Sequence, residues 1–342
     1  MKANSSKLSK FILFFFTASF LFWGSCGKDK GAPNIEMELI ETDTDLPANV
    51  RLFFRVDMGD EELFTTLDQS DFEIYEDNSL ISTSESYAKI QNESGLYVYS
   101  SILMIDLSGS VHNEHLSHVK DAAASFVESV MPSPTDAEYG SMEMAVYWFD
   151  GEEDIHLLEG FSYSKTEIMA AINSITTDIS SDNSTNLNGA VIQGLGTLEA
   201  RLAQVSLDPD ISTAGAMVIF TDGTDQAGRV SQNSAQNAVK SMSSQYSLFT
   251  IGLGSEIDED VLKDFGRDGF ELATDSYDLN SAFIEVGKLV ESASGSFYVL
   301  EYCSPKRSGE HRIQLRAVYE DRVGTFSTDF SAEGFTGGCK IE

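Results

Sequence analysis

The chain has 342 residues, 42% of them hydrophobic and 23% charged, a balance that belongs to globular proteins and not to disordered ones. Its 55 acidic residues stand against 22 basic ones, for a net charge of −33, which argues against a nucleic-acid backbone or an anionic lipid surface as the main partner and is compatible with bound cations. The length allows two domains, or one large domain with an appendage.

Residues 1–25 read as an export signal. Lys2, Lys7 and Lys10 precede the apolar run "FILFFFTASFLFW", and "GSC" follows it. The run is too short for a comfortable membrane span. Cys26 after Gly24-Ser25 resembles the cleavage point of a bacterial lipoprotein signal, in which the cysteine is lipidated and becomes the first mature residue. An ordinary cleaved signal or an uncleaved anchor is the alternative. Removing residues 1–25 takes away three lysines and no acidic residue, leaving −36. Residues 26–35, containing "GKDKGAPN", suit a short tether.

Residues 36–100 read as strands. "NVRLFFRVDM" is β-rich, and "SDFEIYEDN" alternates Phe72 and Ile74 with Asp71 and Glu73, with Asp77-Asn78 as a turn. From Ser101 to residue 294 strands and helices alternate. "SILMID" is apolar enough for a strand buried on both faces and stops on Asp106. "HLSHVKDAAASFVESVM" places Leu116, Val119, Ala123, Phe126, Val127 and Val130 on one helical face. "MEMAVYWFD" reads as a strand, and "SKTEIMAAINSI" as a helix opened by a Ser164/Glu167 capping box. "LNGAVIQGLGTLEARLAQV" is a longer helix, and "AGAMVIFTDG" a second very apolar strand ending in an aspartate, Asp222. The helix "SAQNAVKSMSSQ", strand "SLFTIGLG", helix "DEDVLKDFG", a short strand at "GFELAT" and the helix "LNSAFIEVGKLVESA" complete the series. Such alternation predicts an α/β fold, a mostly parallel sheet wrapped by helices on both faces. Residues 295–342 return to strands: "SFYVLEYC", "HRIQLRAVYE" and "RVGTFSTDF". They are too few for a separate stable domain and are expected to complete a sandwich begun by residues 36–100. In an exported protein Cys303 and Cys339 are most simply a disulfide, with two free thiols the alternative.

Three short stretches belong together. Asp106, Ser108 and Ser110 have D-x-S-x-S spacing at a strand end, the edge where open α/β sheets bind ligands. Thr185 lies in the polar loop "DNSTNLNGAV", and Asp222 ends the second apolar strand. This all-oxygen set suits magnesium, manganese or calcium and not zinc or copper. Each residue alone would be an ordinary turn or cap residue. Together, in this order, they resemble the metal-ion-dependent adhesion site of the von Willebrand factor A-like (vWA) domain, over roughly Ser101 to Ala293. Asn183-Ser184 stand where that family usually has glycines. "SDFEIYEDN" resembles the Asp-Phe-x-x-x-Glu-Asp signature of a small β-sandwich that often precedes such domains in bacterial surface proteins.

The resemblance implies a doubly wound vWA domain on a β-sandwich base, with Asp106, Ser108, Ser110, Thr185 and Asp222 holding a divalent cation, Mg2+ first, Mn2+ or Ca2+ next. It implies non-catalytic binding of a protein or other ligand that offers an acidic group to the metal. The chain would sit in the bacterial envelope, at the outer membrane or cell surface, held to the membrane through its lipid anchor alone, with no nucleic-acid partner. The alternative is a structural or assembly subunit of an envelope complex whose metal site is vestigial or only stabilising.

Other signals are weaker. His112, His115 and His118 turn about 60° from one another on a helix, so they do not converge. No G-x-S-x-G elbow and no phosphate-binding G-x-x-x-x-G-K-[ST] occurs. "DGEEDIH" reads as a solvated acidic loop, with a second cation site the alternative.

Overall fold

The computed structural model describes residues 35–59, 66–82, 86–92, 96–208, 210–337 and 339, the side chains of 112 and 113 excepted. The signal-like segment, Cys26 and the tether through residue 34 lie outside the described residues.

The central layer is a six-stranded sheet. Its strands are β6 (Tyr97–Asp106), β7 (Met142–Phe149), β8 (His156–Ser162), β9 (Ser212–Thr221), β10 (Tyr246–Leu253) and β11 (Gly269–Ala273). The order is β11-β10-β9-β6-β7-β8, parallel throughout except for β8, which runs antiparallel beside β7. Every residue of β9 and β10 is buried, as the continuous apolar runs require of strands covered on both faces. Alternation along β6 sends Leu103 and Ile105 into one core, with α1 (Leu116–Val130), α2 (Lys165–Ser174) and α6 (Leu279–Ser294). Ile102 and Met104 go into the other, with α3 (Leu187–Val205), α4 (Gln232–Ser241) and α5 (Glu259–Phe265). The expected α/β class is the observed one.

Edge strand β8 was not expected from the sequence, in which residues 157–162 carry no assigned element between the acidic loop at 150–156 and the next helix. Its pairing with β7 shifts register twice and none of its residues is fully buried, so no clean period of two is written into it. The capping box of α2 is half formed. Ser164 accepts from the Glu167 backbone N, but the Glu167 carboxylate takes the Ser162 hydroxyl at 2.6 Å in place of the Ser164 backbone.

The remaining strands make two four-stranded antiparallel sheets. One holds β1 (Glu36–Asp45), β2 (Asn49–Asp57), β5 (Lys89–Gln91) and β12 (Phe297–Cys303). The other holds β3 (Phe72–Glu76), β4 (Ser79–Leu80), β13 (Glu310–Tyr319) and β14 (Arg322–Ser331). N- and C-terminal strands are thus interleaved in both. Their shared core packs Phe54 on Tyr298 at 5.7 Å and on Phe326 at 5.4 Å between ring centroids. Asp77 and Asn78 both have positive φ (49° and 65°), the backbone of a tight hairpin turn between β3 and β4. Glu76 is buried, and its Oε1 accepts from Ser304 Oγ at 2.6 Å and from Tyr302 Oη at 3.2 Å. The Cys303–Cys339 disulfide, Cα–Cα 5.8 Å, ties the end of β12 to the C-terminal segment.

The sandwich meets the α/β layer at the start of β6. Tyr97 Oη donates to the Ser294 carbonyl at 2.6 Å, and Phe297 stacks on Phe53 at 5.5 Å within the core shared with α1 and α6. Asp106 lies nine residues further along that strand, about 30 Å away at ~3.3 Å per residue. The sandwich therefore packs at the sheet edge opposite Asp106.

Candidate metal centre

Asp106 ends β6 and is fully buried. Its Oδ1 accepts from the Ser108 backbone N at 2.9 Å, the tight turn that D-x-S-x-S implies. Its Oδ2 accepts from Thr221 Oγ1 at 2.6 Å. Thr221 is the last residue of the neighbouring strand β9, so one hydroxyl ties two strand ends together. Sequence reasoning passed over Thr221. Its signal was present in "FTDG", where a hydroxyl stands immediately before the aspartate.

Asp222 follows Thr221 and is 9% exposed. The Ser110 hydroxyl bonds its carboxylate, while its Oδ1 is buried with no partner. Thr185 is buried, and its carbonyl accepts from Gln226 N at 2.9 Å and Ala227 N at 3.0 Å, which holds the 183–186 loop against the turn after β9. A Cβ placed on Gly223 would stand 3.8 Å from Thr185 Oγ1, so that hydroxyl lies beside the Asp222-Gly223 turn. Asn183, in the position where glycine is usual, is accommodated by Gly109. Gly109 N donates to Asn183 O at 3.1 Å, and a Cβ on Gly109 would come within 2.8 Å of Asn183 Cβ. The three stretches singled out in the sequence thus meet at one sheet edge. Ser108 is buried there, and Ser110 is the exposed member.

The electrostatics of this edge call for a cation. Burial pushes the Asp106 carboxyl up to about 7, with the Asp222 charge adding to the effect, while the bonds from Thr221 and Ser108 work against it. Burial raises Asp222 as well, and the Ser110 bond and His115 oppose that. Among the described residues no Lys or Arg pairs with either carboxylate. Two buried carboxylates without a Lys or Arg counter-charge, one oxygen unpartnered, and three neighbouring hydroxyls make a donor set that fits a hard divalent ion.

A family model described as the von Willebrand factor type A domain matches residues 102–284, more than half of the 342. The chain belongs to that family. Domains of the vWA family are often metal-dependent adhesion or protein-interaction modules. The chain is 25% identical over 219 residues to inter-alpha-trypsin inhibitor heavy chain 4 of Mus musculus, covering 60% of this chain and 22% of that one. It is 22% identical over 223 residues to inter-alpha-trypsin inhibitor heavy chain H3 of Bos taurus, covering 61% and 24%. It therefore spans less than a quarter of the length of these relatives. Among solved structures, a von Willebrand factor type A protein from Catenulispora acidiphila aligns at a TM-score of 0.46 and 11% identity, over 88% of this chain and 74% of that one.

Elsewhere in the vWA domain, Asp150, Glu152 and His156 bring ligand atoms within 4.8 Å of one another, so the "DGEEDIH" stretch gathers a group that could hold a cation. The group is also internally bonded. Ser180 Oγ donates to Asp150 Oδ2 at 2.6 Å, Ser181 Oγ to Glu152 Oε1 at 3.1 Å, and His156 lies 3.4 Å from Glu152 Oε2, stacked on Trp148. Of the other histidines, His118 packs edge-on against Tyr277 and His115 Nδ1 is buried without a hydrogen bond, while the His112 side chain lies outside those described. Val111–His115 is a π-turn ahead of α1, so the even 60° stagger expected of an α-helix does not apply there.

Proposed function

We propose that this chain is an exported, lipid-anchored envelope protein that binds a partner, without catalysis, through a divalent-cation-dependent adhesion site. Asp106, Ser108, Ser110, Thr185 and Asp222 would hold the ion, Mg2+ or, next, Mn2+ or Ca2+. The observation that carries the reading is the unpartnered, buried Asp222 Oδ1 beside a second buried carboxylate that has no cationic side chain. Once bound, a divalent ion supplies a positive centre at which a partner's carboxylate can complete the coordination. The chain's own residues prepare that position. Thr221 and the Ser108 N–H fix the Asp106 carboxylate, and Ser110 orients Asp222. With the neutral hydroxyls of Ser108, Ser110 and Thr185 bound directly and one or both aspartates acting through water, the ion would keep much of its positive charge, which favours an acidic group from outside. The chain's own −33 opposes an acidic partner at long range, but screening confines that to about 8 Å at physiological salt.

Among the described residues no helix is long and apolar enough to cross a membrane. The deciding experiment is a pull-down from envelope extract in Mg2+ and in EDTA, with wild type and Asp106→Ala. Capture only by wild type with Mg2+ supports adhesion; undiminished capture in EDTA and by Asp106→Ala overturns it in favour of an assembly subunit.

A further inference from the structure

Beside the metal centre, sharing Gly223 with it, lies a cleft of about 320 Å3. Its walls include Leu187, Val230 and Leu262, and its polar lining includes Asn188, Asp225 and Asp258. Asn188 is only 5% exposed, yet its Oδ1 is buried with no partner. The other end of that amide is committed, since Nδ2 donates to the Val230 carbonyl at 3.1 Å, so the unpartnered atom is the acceptor. Such an atom calls for a donor.

The start of α3, α4 and α5 all face this region, and helix N-termini by themselves favour anions. Here those ends are already occupied. Asp225 Oδ2 accepts from Asn188 N at 2.9 Å, Asp258 Oδ1 from Val261 N at 3.2 Å, and Ser231 Oγ from Ser234 N at 3.2 Å. Two whole negative charges then stand against about half a unit of positive charge per helix end. Neither Asp225 nor Asp258 has an ion-pair partner among the described residues. The nearby Arg229 is turned away, its Nε on the Gly151 carbonyl at 2.6 Å and its guanidinium toward Asp182. The cleft is thus rich in acceptors, short of donors, and walled by aliphatic side chains.

We infer that this cleft receives an arginine side chain of the partner protein whose carboxylate meets the metal centre, an inference that rests on the adhesion reading above. A guanidinium offers five donors in a plane, enough to serve Asn188 Oδ1 and a carboxylate together, and its methylene stem lies well on Leu187, Val230 and Leu262. The chain's net charge of −33 favours a partner that brings positive charge beside its acid.

The test titrates n-propylguanidinium into the full chain carrying NMR labels on Val and Leu methyls and Asn side-chain amides, in EDTA and again in Mg2+. Because the EDTA arm needs no metal, failure of the adhesion reading and failure of this inference are separable. Saturable shifts at Asn188, Val230 and Leu262 in both arms are expected, weakened on the order of tenfold in Asp225→Asn/Asp258→Asn. Asp258→Asn alone retains a good N-cap, so its smaller weakening serves as the check should the double variant melt early. Absence of saturable shifts, equal response to n-propanol, or tighter binding of propionate would overturn the inference. Equal binding of n-propylammonium would overturn the choice of arginine.

Discussion

The Thr221 hydroxyl donates to the Asp106 carboxylate at 2.6 Å across the ends of two adjacent buried strands. The same hydroxyl oxygen accepts from Gly223 N at 3.2 Å, so Thr221 positions the carboxylate and shapes the turn that carries Asp222. Thr221→Val keeps the shape and removes the donor. With a buried carboxylate oxygen left unserved, the fold should lose about 1–3 kcal/mol in EDTA. A bound divalent ion offsets part of that, so the loss should shrink in saturating Mn2+. Urea titrations of both proteins in both conditions measure the difference. Equal losses would mean that Thr221 does not act through the metal centre.

Another buried acid sits far from that edge. Glu143 on β7 is 1% exposed and accepts Arg201 Nε and Nη2 at 2.6 Å each, with Ser100 Oγ also at 2.6 Å. Arg201→Met would strand a buried charge, and the expected loss is about 3–5 kcal/mol. Replacing both residues, Glu143→Gln with Arg201→Met, should restore most of it, because the charge leaves with its partner. Denaturation curves for the single and double variants decide the matter, and a double variant as weak as the single would refute it.

What was legible in the sequence, and what was not, follows from how many residues carry each signal. β6, β9 and β10 announce themselves because burial on both faces writes long apolar runs, and their carboxyl ends locate Asp106 and Asp222. The α3 helix is read to its ends because Asn186 caps it, its Oδ1 accepting from Gly189 N. Strand β8 was hidden by its broken register and half-exposed edge position. Thr221 was hidden by its buried setting, since a threonine inside an apolar strand looks like any β-former until its hydroxyl partner is known. The cleft around Asn188 was illegible for a different reason. It is assembled from three helix starts spread between residues 187 and 262, and no local pattern records that they meet.

The sandwich carries its own pH signature. Asp77 binds Lys306 at 2.7 Å and His311 Nδ1 at 2.8 Å, which lowers the Asp77 carboxyl and raises the His311 imidazole, each chiefly through these side-chain bonds. A raised histidine stabilises most below its ordinary value of 6.5, and that contribution is lost as pH rises through the folded value. A lowered aspartate stabilises above its ordinary 3.8, and that contribution is lost as pH falls through the folded value. Both act together between about pH 4 and 6.5. Wild type should therefore lose melting temperature from pH 6 to pH 8.5 relative to His311→Gln. Parallel profiles for the two proteins would remove His311 from the account.

The metal centre should cost stability when empty, and that makes its function testable without knowing the partner. Asp106 is fully buried beside Asp222, and its raised carboxyl means that the charged form is disfavoured in the fold. Asp106→Asn removes the charge and keeps the shape. The new amide can donate to Thr221 Oγ1, whose own proton then turns to the Gly223 carbonyl at 3.3 Å, while the amide oxygen keeps the bond from Ser108 N. In EDTA this variant should be more stable than wild type by roughly 1 kcal/mol or more, the scale of a single pKa unit. Adding Mg2+ or Mn2+ should reverse the order. Wild type gains stability with the logarithm of ion concentration, about 2.7 kcal/mol at a hundredfold excess over Kd, whereas the variant gains little. Melting curves across a metal titration read both limbs. If Asp106→Asn is the weaker protein in EDTA, the buried carboxylates are compensated by something other than a bound cation. If both proteins respond equally to metal, the ion binds elsewhere, and the Asp150, Glu152 and His156 group becomes the place to look.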